Sequence, residues 1–181
     1  DIGSVVNALA VFKEPTTGAP RLACGTSKWN SANNATKIRI GEVRVFDAVS
    51  GGDALVVLDA GSEVYALVAF NDQATSAPRL ASGSDDNKVR VFDPVAGGEA
   101  LVVLEGHTNY VVALTAFTDP ATGEPRLVSG SGDRTVRVWN SAAGGAAIEA
   151  ESEGHSKDVK ALVTFVDPAT GALRVATGSY D

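Results

Sequence analysis

The chain has 181 residues, 44% hydrophobic and 20% charged, with a formal net charge of −7, enough for one domain with a sizeable core. No Lys/Arg cluster of the kind that displaces counterions from a duplex is present, so nucleic acid is not an expected partner. No apolar run approaches the roughly 20 residues of a membrane helix, so no membrane partner is expected either. The single cysteine, Cys24, excludes an internal disulfide and suits a reducing compartment, while the start at Asp1 without any Met points to an upstream segment.

From the N-terminus the chain repeats one phrase. Its first run is apolar, Val6–Phe12, and an Arg-Leu run follows at Arg21–Ser27 ("RLACGTS"). An insertion at Lys28–Glu42 comes next, then "VRVF" at Val43–Phe46 and "ALVVL" at Ala54–Leu58. The second unit reads Val64–Phe70, Arg79–Asp86, Val89–Phe92 and Ala100–Leu104. The third reads Val111–Phe117, Arg126–Asp133, Val136–Trp139 and, weakened, Ala146–Glu151. The fourth supplies Val159–Phe165 and Arg174–Asp181. The Arg-Leu runs begin at residues 21, 79, 126 and 174, so the units step by 58, 47 and 48 residues.

All these runs are β-branched or apolar and too short for independent helices. The Arg always falls nine positions after the closing Phe, across Asp, Pro and Gly turn residues. Gly51-Gly52, Gly97-Gly98 and Gly144-Gly145 tolerate the positive φ of a tight hairpin between the third and fourth runs. Four antiparallel strands every 47 or so residues describe an all-β propeller of about three and a half four-stranded blades. The units are 1–58 with its insertion at 28–42, 59–104, 105–151, and 152–181 as two strands of an incomplete fourth. Ala8, Ala66, Ala113 and Ala161 share one column, as crowding of inner strands about an axis requires.

These motifs resemble the WD40 repeat family. Gly106-His107 and Gly154-His155 match its Gly-His pair, while Phe46-Asp47, Phe92-Asp93 and Trp139-Asn140 match its aromatic-Asp pair in weakened form. The resemblance implies a buried hydrogen-bond chain through His107, either Ser129 or Ser131, Asp133 and Trp139, with His155 at the equivalent position of the next unit. The second unit has Phe92 and Gly61-Ser62 in place of Trp and Gly-His. Donor and acceptor are thus expected to vanish together there, leaving no buried group stranded.

The resemblance also implies a face that binds peptides or partner domains. Its candidates are Glu63, Tyr110 and Asp158, each just before a first strand, and Asp85 and Tyr180, each just before the turn acid. Trp29 on the insertion is a further candidate. Lys160, the one charge on a first strand, faces the channel or pairs with Asp158.

The two histidines hold equivalent positions and no third exists, so a structural role outweighs a metal site. "GSGDRT" lacks the ending of a phosphate loop, and Asn34-Ala35-Thr36 fits a glycosylation sequon by chance. No catalytic residue, metal or cofactor is expected. The expectation is a cytoplasmic, non-catalytic scaffold for proteins or peptides, within a large intracellular assembly, the rest of the propeller coming from further chain or from another subunit. The alternatives are a targeting domain of a larger enzyme and a structural subunit of an assembly.

Overall fold

The computed structural model describes residues 4–30, 38–151 and 155–181. Among these residues there is no helix, hence none long and apolar enough to cross a membrane. Fifteen strands form four antiparallel sheets. The first holds β1 (Val5–Lys13), β2 (Pro20–Asn30), β4 (Glu42–Asp47) and β5 (Val56–Asp59), in that order, with β3 (Ile38–Ile40) pairing β2 alone. The second runs β6 (Val64–Asn71), β7 (Pro78–Ser84), β8 (Val89–Phe92) and β9 (Val102–Leu104). The third runs β10 (Val111–Thr118), β11 (Pro125–Ser131), β12 (Val136–Asn140) and β13 (Glu149–Glu151). The fourth has two strands, β14 (Val159–Val166) and β15 (Leu173–Ser179).

The nine-residue spacing is the first hairpin of every sheet. Phe12 pairs with Arg21, Phe70 with Arg79, Phe117 with Arg126 and Phe165 with Arg174. The Gly pairs do hold positive φ, 66° and 92° at Gly51-Gly52, yet they do not form a minimal two-residue turn. Asp47 Oδ1 accepts from the amides of Val49 and Ser50, both at 2.9 Å, and Gly51 N donates to the Asp47 carbonyl at 3.1 Å. An aspartate-capped turn therefore comes first, and the glycines unwind it toward β5. The insertion lengthens the first sheet: Lys28 pairs with Ile40, Trp29 with Arg39 and Asn30 with Ile38. Asn34-Ala35-Thr36 and Gly154 lie outside the described residues.

Apolar residues alternate, so each middle sheet has two faces to bury. Phe12, Ala23, Val43, Val45 and Leu58 of the first sheet pack on Leu80 and Phe92 of the second. The opposite face of the second sheet, with Ala81, Val89, Val91 and Leu104, packs on Val111, Leu127 and Trp139 of the third. Each Val, Leu or Phe among them contributes about 1.5–3 kcal/mol by leaving water.

The alanine column explains the spacing of the sheets. Ala66 pairs with Gly83 and Ala113 with Gly130. A Cβ on Gly83 would come 2.7 Å from Val111 Cγ1, and one on Gly130 would come 2.8 Å from Val159 Cγ1. The first Val of the second, third and fourth sheets thus sits against a bare backbone in the sheet before it, at Gly25, Gly83 and Gly130. Just after that Val the ladder slips, between Val6 and Ala8, Val64 and Ala66, Val111 and Ala113, and Val159 and Ala161. A bulge re-aims the residue it releases, and those residues are Asn7, Tyr65, Val112 and Lys160.

Candidate functional site

Two clusters carry the polar side chains singled out by sequence. The first is buried in the third sheet. Trp139 Nε1 donates to Ser129 Oγ at 2.7 Å, Ser129 Oγ lies 2.7 Å from His107 Nε2, and His107 Nδ1 lies 2.8 Å from Asp133 Oδ2. An indole N–H can only donate and a carboxylate only accepts. With the imidazole neutral, its proton sits on Nδ1 toward Asp133 and the hydroxyl proton points at Nε2.

Burial pushes the His107 pKa below its ordinary value despite Asp133. Burial works against the Asp133 carboxylate too, but hydrogen bonds from Thr135, Thr108 and His107 outweigh it and hold its pKa at about 2. Ser129 is the network member. Ser131 instead donates to the Asn109 carbonyl at 2.9 Å and accepts from the Asp133 amide at 3.1 Å, within the turn. The fourth sheet repeats part of this chain: His155 Nε2 lies 2.7 Å from Thr177 Oγ1, and its Nδ1 lies 2.9 Å from Asp181 Oδ1.

The second sheet departs from expectation. Ser82 stands where Ser129 stands in the third, fully buried, and its hydroxyl has no hydrogen-bond partner. Losing Trp and His together did strand a buried group, because the serine between them was kept. Asp86, the counterpart of Asp133, is held instead by Arg90, with Nη2 to Oδ2 at 2.6 Å and Nη1 to Oδ1 at 3.1 Å. In the first sheet Cys24 occupies the serine position, buried. A thiol is a weak donor and behaves there as a small hydrophobe.

The second cluster is partly open to solvent and forms where the bulges and the adjoining turns meet. Tyr65 OH donates to Asp85 Oδ1 at 3.0 Å and lies 3.2 Å from Glu63 Oε2. Its ring meets that of Tyr110 edge-on, with centroids 5.9 Å apart. Tyr110 OH donates to Asp158 Oδ2 at 2.6 Å. Lys160 Nζ pairs with the same Asp158 oxygen at 2.8 Å, 5.2 Å from the Tyr110 ring centre and 5.8 Å from that of Tyr180.

The Lys160 hydrogen bond, followed by that of Tyr110, pulls the Asp158 carboxyl below its usual pKa, and Asp158 in turn raises Lys160. The structure therefore joins Glu63, Asp85, Tyr110, Asp158 and Tyr180 into one row spanning three sheets. Trp29 stands on the paired β2–β3 stretch of the first sheet, 53% exposed.

Tyr65 was missed by sequence reasoning. Its signal was the register two residues after Glu63 and one before the alanine column, a position that faces inward only because the strand bulges there. A groove of 590 Å³ opens elsewhere, lined by Val11, Phe12, Pro15, Ala69, Phe70 and Pro78, with Lys13 as its one ionisable side chain. Among the described residues no three His, Cys, Asp or Glu side chains converge as metal ligands would.

Four-stranded antiparallel units, stacked face on face and carrying a His–Ser–Trp chain, define a partial β-propeller. The family model described as "WD domain, G-beta repeat" matches residues 52–93 and 98–140, so these two stretches are WD40 repeats. Each match starts at the glycine turn just before the outermost strand of one sheet and closes at the end of the third strand of the next.

Solved structures share the fold. A chain of a ctPRC2 complex superposes with a TM-score of 0.68 at 17% identity, over 99% of this chain and 35% of that one. A chain of apo ctPRC2 in an autoinhibited state gives 0.65 at 19%, over 90% and 34%. A chain of an active polycomb repressive complex 2 in the basal state gives 0.69 at 18%, over 99% and 36%. The chain thus spans about a third of the length of each. No curated protein matches it.

Proposed function

We propose that this chain is a binding module without a reaction of its own, working in the cytoplasm and docking a basic protein segment or peptide on the Tyr65–Tyr110–Tyr180 row. One observation carries the reading: three tyrosines and three carboxylates converge on one surface of a rigid sheet stack. Tyrosine offers large contact area at low entropy cost and keeps a polar tip. Carboxylates around it favour cationic partners and speed their approach, in keeping with the net charge of −7.

The outer faces of the first and fourth sheets expose Leu9, Val11, Val57, Val163 and Phe165. Further sheets of the same kind, from a longer chain or another subunit, cover them.

Fluorescence anisotropy with labelled lysine-rich and glutamate-rich peptides tests the reading. The basic peptide should bind in preference, and Tyr110→Ala should weaken it about tenfold or more, as loss of an aromatic anchor does. Equal binding of both peptides, or an unaffected Tyr110→Ala, would refute it.

A further inference from the structure

Resting on that reading, we propose that Tyr110, Tyr180 and Asp158 form a subsite for a cationic side chain, that Lys160 fills it as an internal stand-in, and that a lysine or arginine of a basic peptide enters by displacing Lys160.

The position of Lys160 does not follow from the sheet. Its counterparts at the other bulges are Asn7, Tyr65 and Val112, so the fold tolerates a neutral residue there. What surrounds its ammonium is what a ligand ammonium would need. Asp158 supplies a carboxylate at 2.8 Å, and two tyrosine rings lie within 6 Å of the charge, the range in which ring faces attract cations.

The Tyr110 wall is set without help from Lys160. Tyr110 is tied by its hydroxyl to Asp158 and braced edge-on by Tyr65. It also lies over the bare backbone of Gly132, where a Cβ would come 2.7 Å from Tyr110 Cε2. The occupant, by contrast, is loosely held. The Lys160 side chain is 33% exposed, and a lysine stem has four rotatable bonds through which the head group can swing into water. Tyr180 is 79% exposed, so a group arriving from solvent meets an uncovered ring.

Competition by an internal occupant lowers apparent affinity by the fraction of time the site is free. If Lys160 fills the site about nine-tenths of the time, removing it tightens peptide binding about tenfold.

The experiment measures the Kd of the full chain at physiological ionic strength for a labelled peptide of alternating lysine and glycine. The same peptide with every lysine acetylated serves as the uncharged probe. Lys160→Ala, and Lys160→Gln, which keeps more of the stem, should each bind the basic peptide about tenfold tighter than wild type. Lys157→Ala removes an equal charge from the exposed turn nearby and should leave Kd within about twofold, since screening limits long-range effects. Adding Asp158→Asn to Lys160→Ala should abolish the gain, and acetylation should abolish binding throughout.

If the peptide binds wild type and both Lys160 variants equally, or if Lys157→Ala gives the same gain, the stand-in role is wrong while the face remains a peptide site. If neither wild type nor the Lys160 variants bind the basic peptide, both readings fall. A Lys160 substitution that shifts thermal stability with no change in Kd marks a structural lysine and overturns the proposal.

Discussion

The second and third sheets are built from nearly the same words, yet they close their interiors by different chemistry. In the third, indole, hydroxyl, imidazole and carboxylate form one directed chain from Trp139 to Asp133. In the second, a phenyl ring replaces the indole, the histidine is gone, and Arg90 reaches over to hold Asp86. The cost falls on Ser82, buried without a partner. The third sheet's counterpart of Arg90 shows the reverse bargain: with His107 on the aspartate, Arg137 keeps a buried Nε without a partner. Each sheet thus leaves a buried polar atom without a partner, the Ser82 hydroxyl in the second and Arg137 Nε in the third. The two repeats, then, share strands and register while differing in the polar network inside.

The sharpest way to break this comparison is Ser129→Ala. It strands the indole N–H and the imidazole Nε2 together, and each unsatisfied buried group costs about 1–3 kcal/mol, so a loss of about 2–6 kcal/mol is expected in urea unfolding. A loss below about 1 kcal/mol would mean that the chain from Trp139 to His107 does not hold the third sheet.

Trp139→Phe comes next. It imports the second sheet's solution into the third and should cost about 1–3 kcal/mol from the vacated volume and the lost donor. Phe92→Leu, which disturbs no hydrogen bond, should cost less, and a calorimetric comparison of the two melting points decides.

Protonation gives a smaller effect. The His107 pKa lies below its ordinary value in the fold, so the unfolded chain binds the proton more readily and stability falls as pH drops below about 6.5. It should be fully retained above that pH. Titration of the His107 ring signals by NMR should show a midpoint below that of a free histidine, and a midpoint above it would reverse the sign.

The smallest effect is the most pointed. Ser82→Ala removes a hydroxyl that bonds to nothing and should be neutral or stabilising by up to about 1 kcal/mol. A loss like that of Ser129→Ala would show that Ser82 has a partner after all.

The strands, their pairing and the third-sheet network were legible because they depend on short-range chemistry repeated in register. Phe and Arg nine positions apart make the same hairpin four times. The choice between Ser129 and Ser131 was not legible. Both are buried and they share a strand parity, so only the position of the indole on the neighbouring strand separates them. The Arg90–Asp86 pair was hidden for another reason: a long flexible side chain fills a gap left by an absent ring, which no spacing rule records. Tyr65 stayed unseen because a one-residue slip in the ladder reverses which face a side chain takes.

That slip sits beside the contact between the first Val of one sheet and the bare glycine of the sheet before it. Both halves of the contact belong to the same repeated phrase, valine at its head and glycine in its middle. Gene duplication of one whole phrase would therefore reproduce a matched plug and recess at either junction, and the array could grow by a step without a single compensating substitution. An array of such phrases can lengthen by repeating itself, a freedom denied to proteins whose layers each meet a different neighbour.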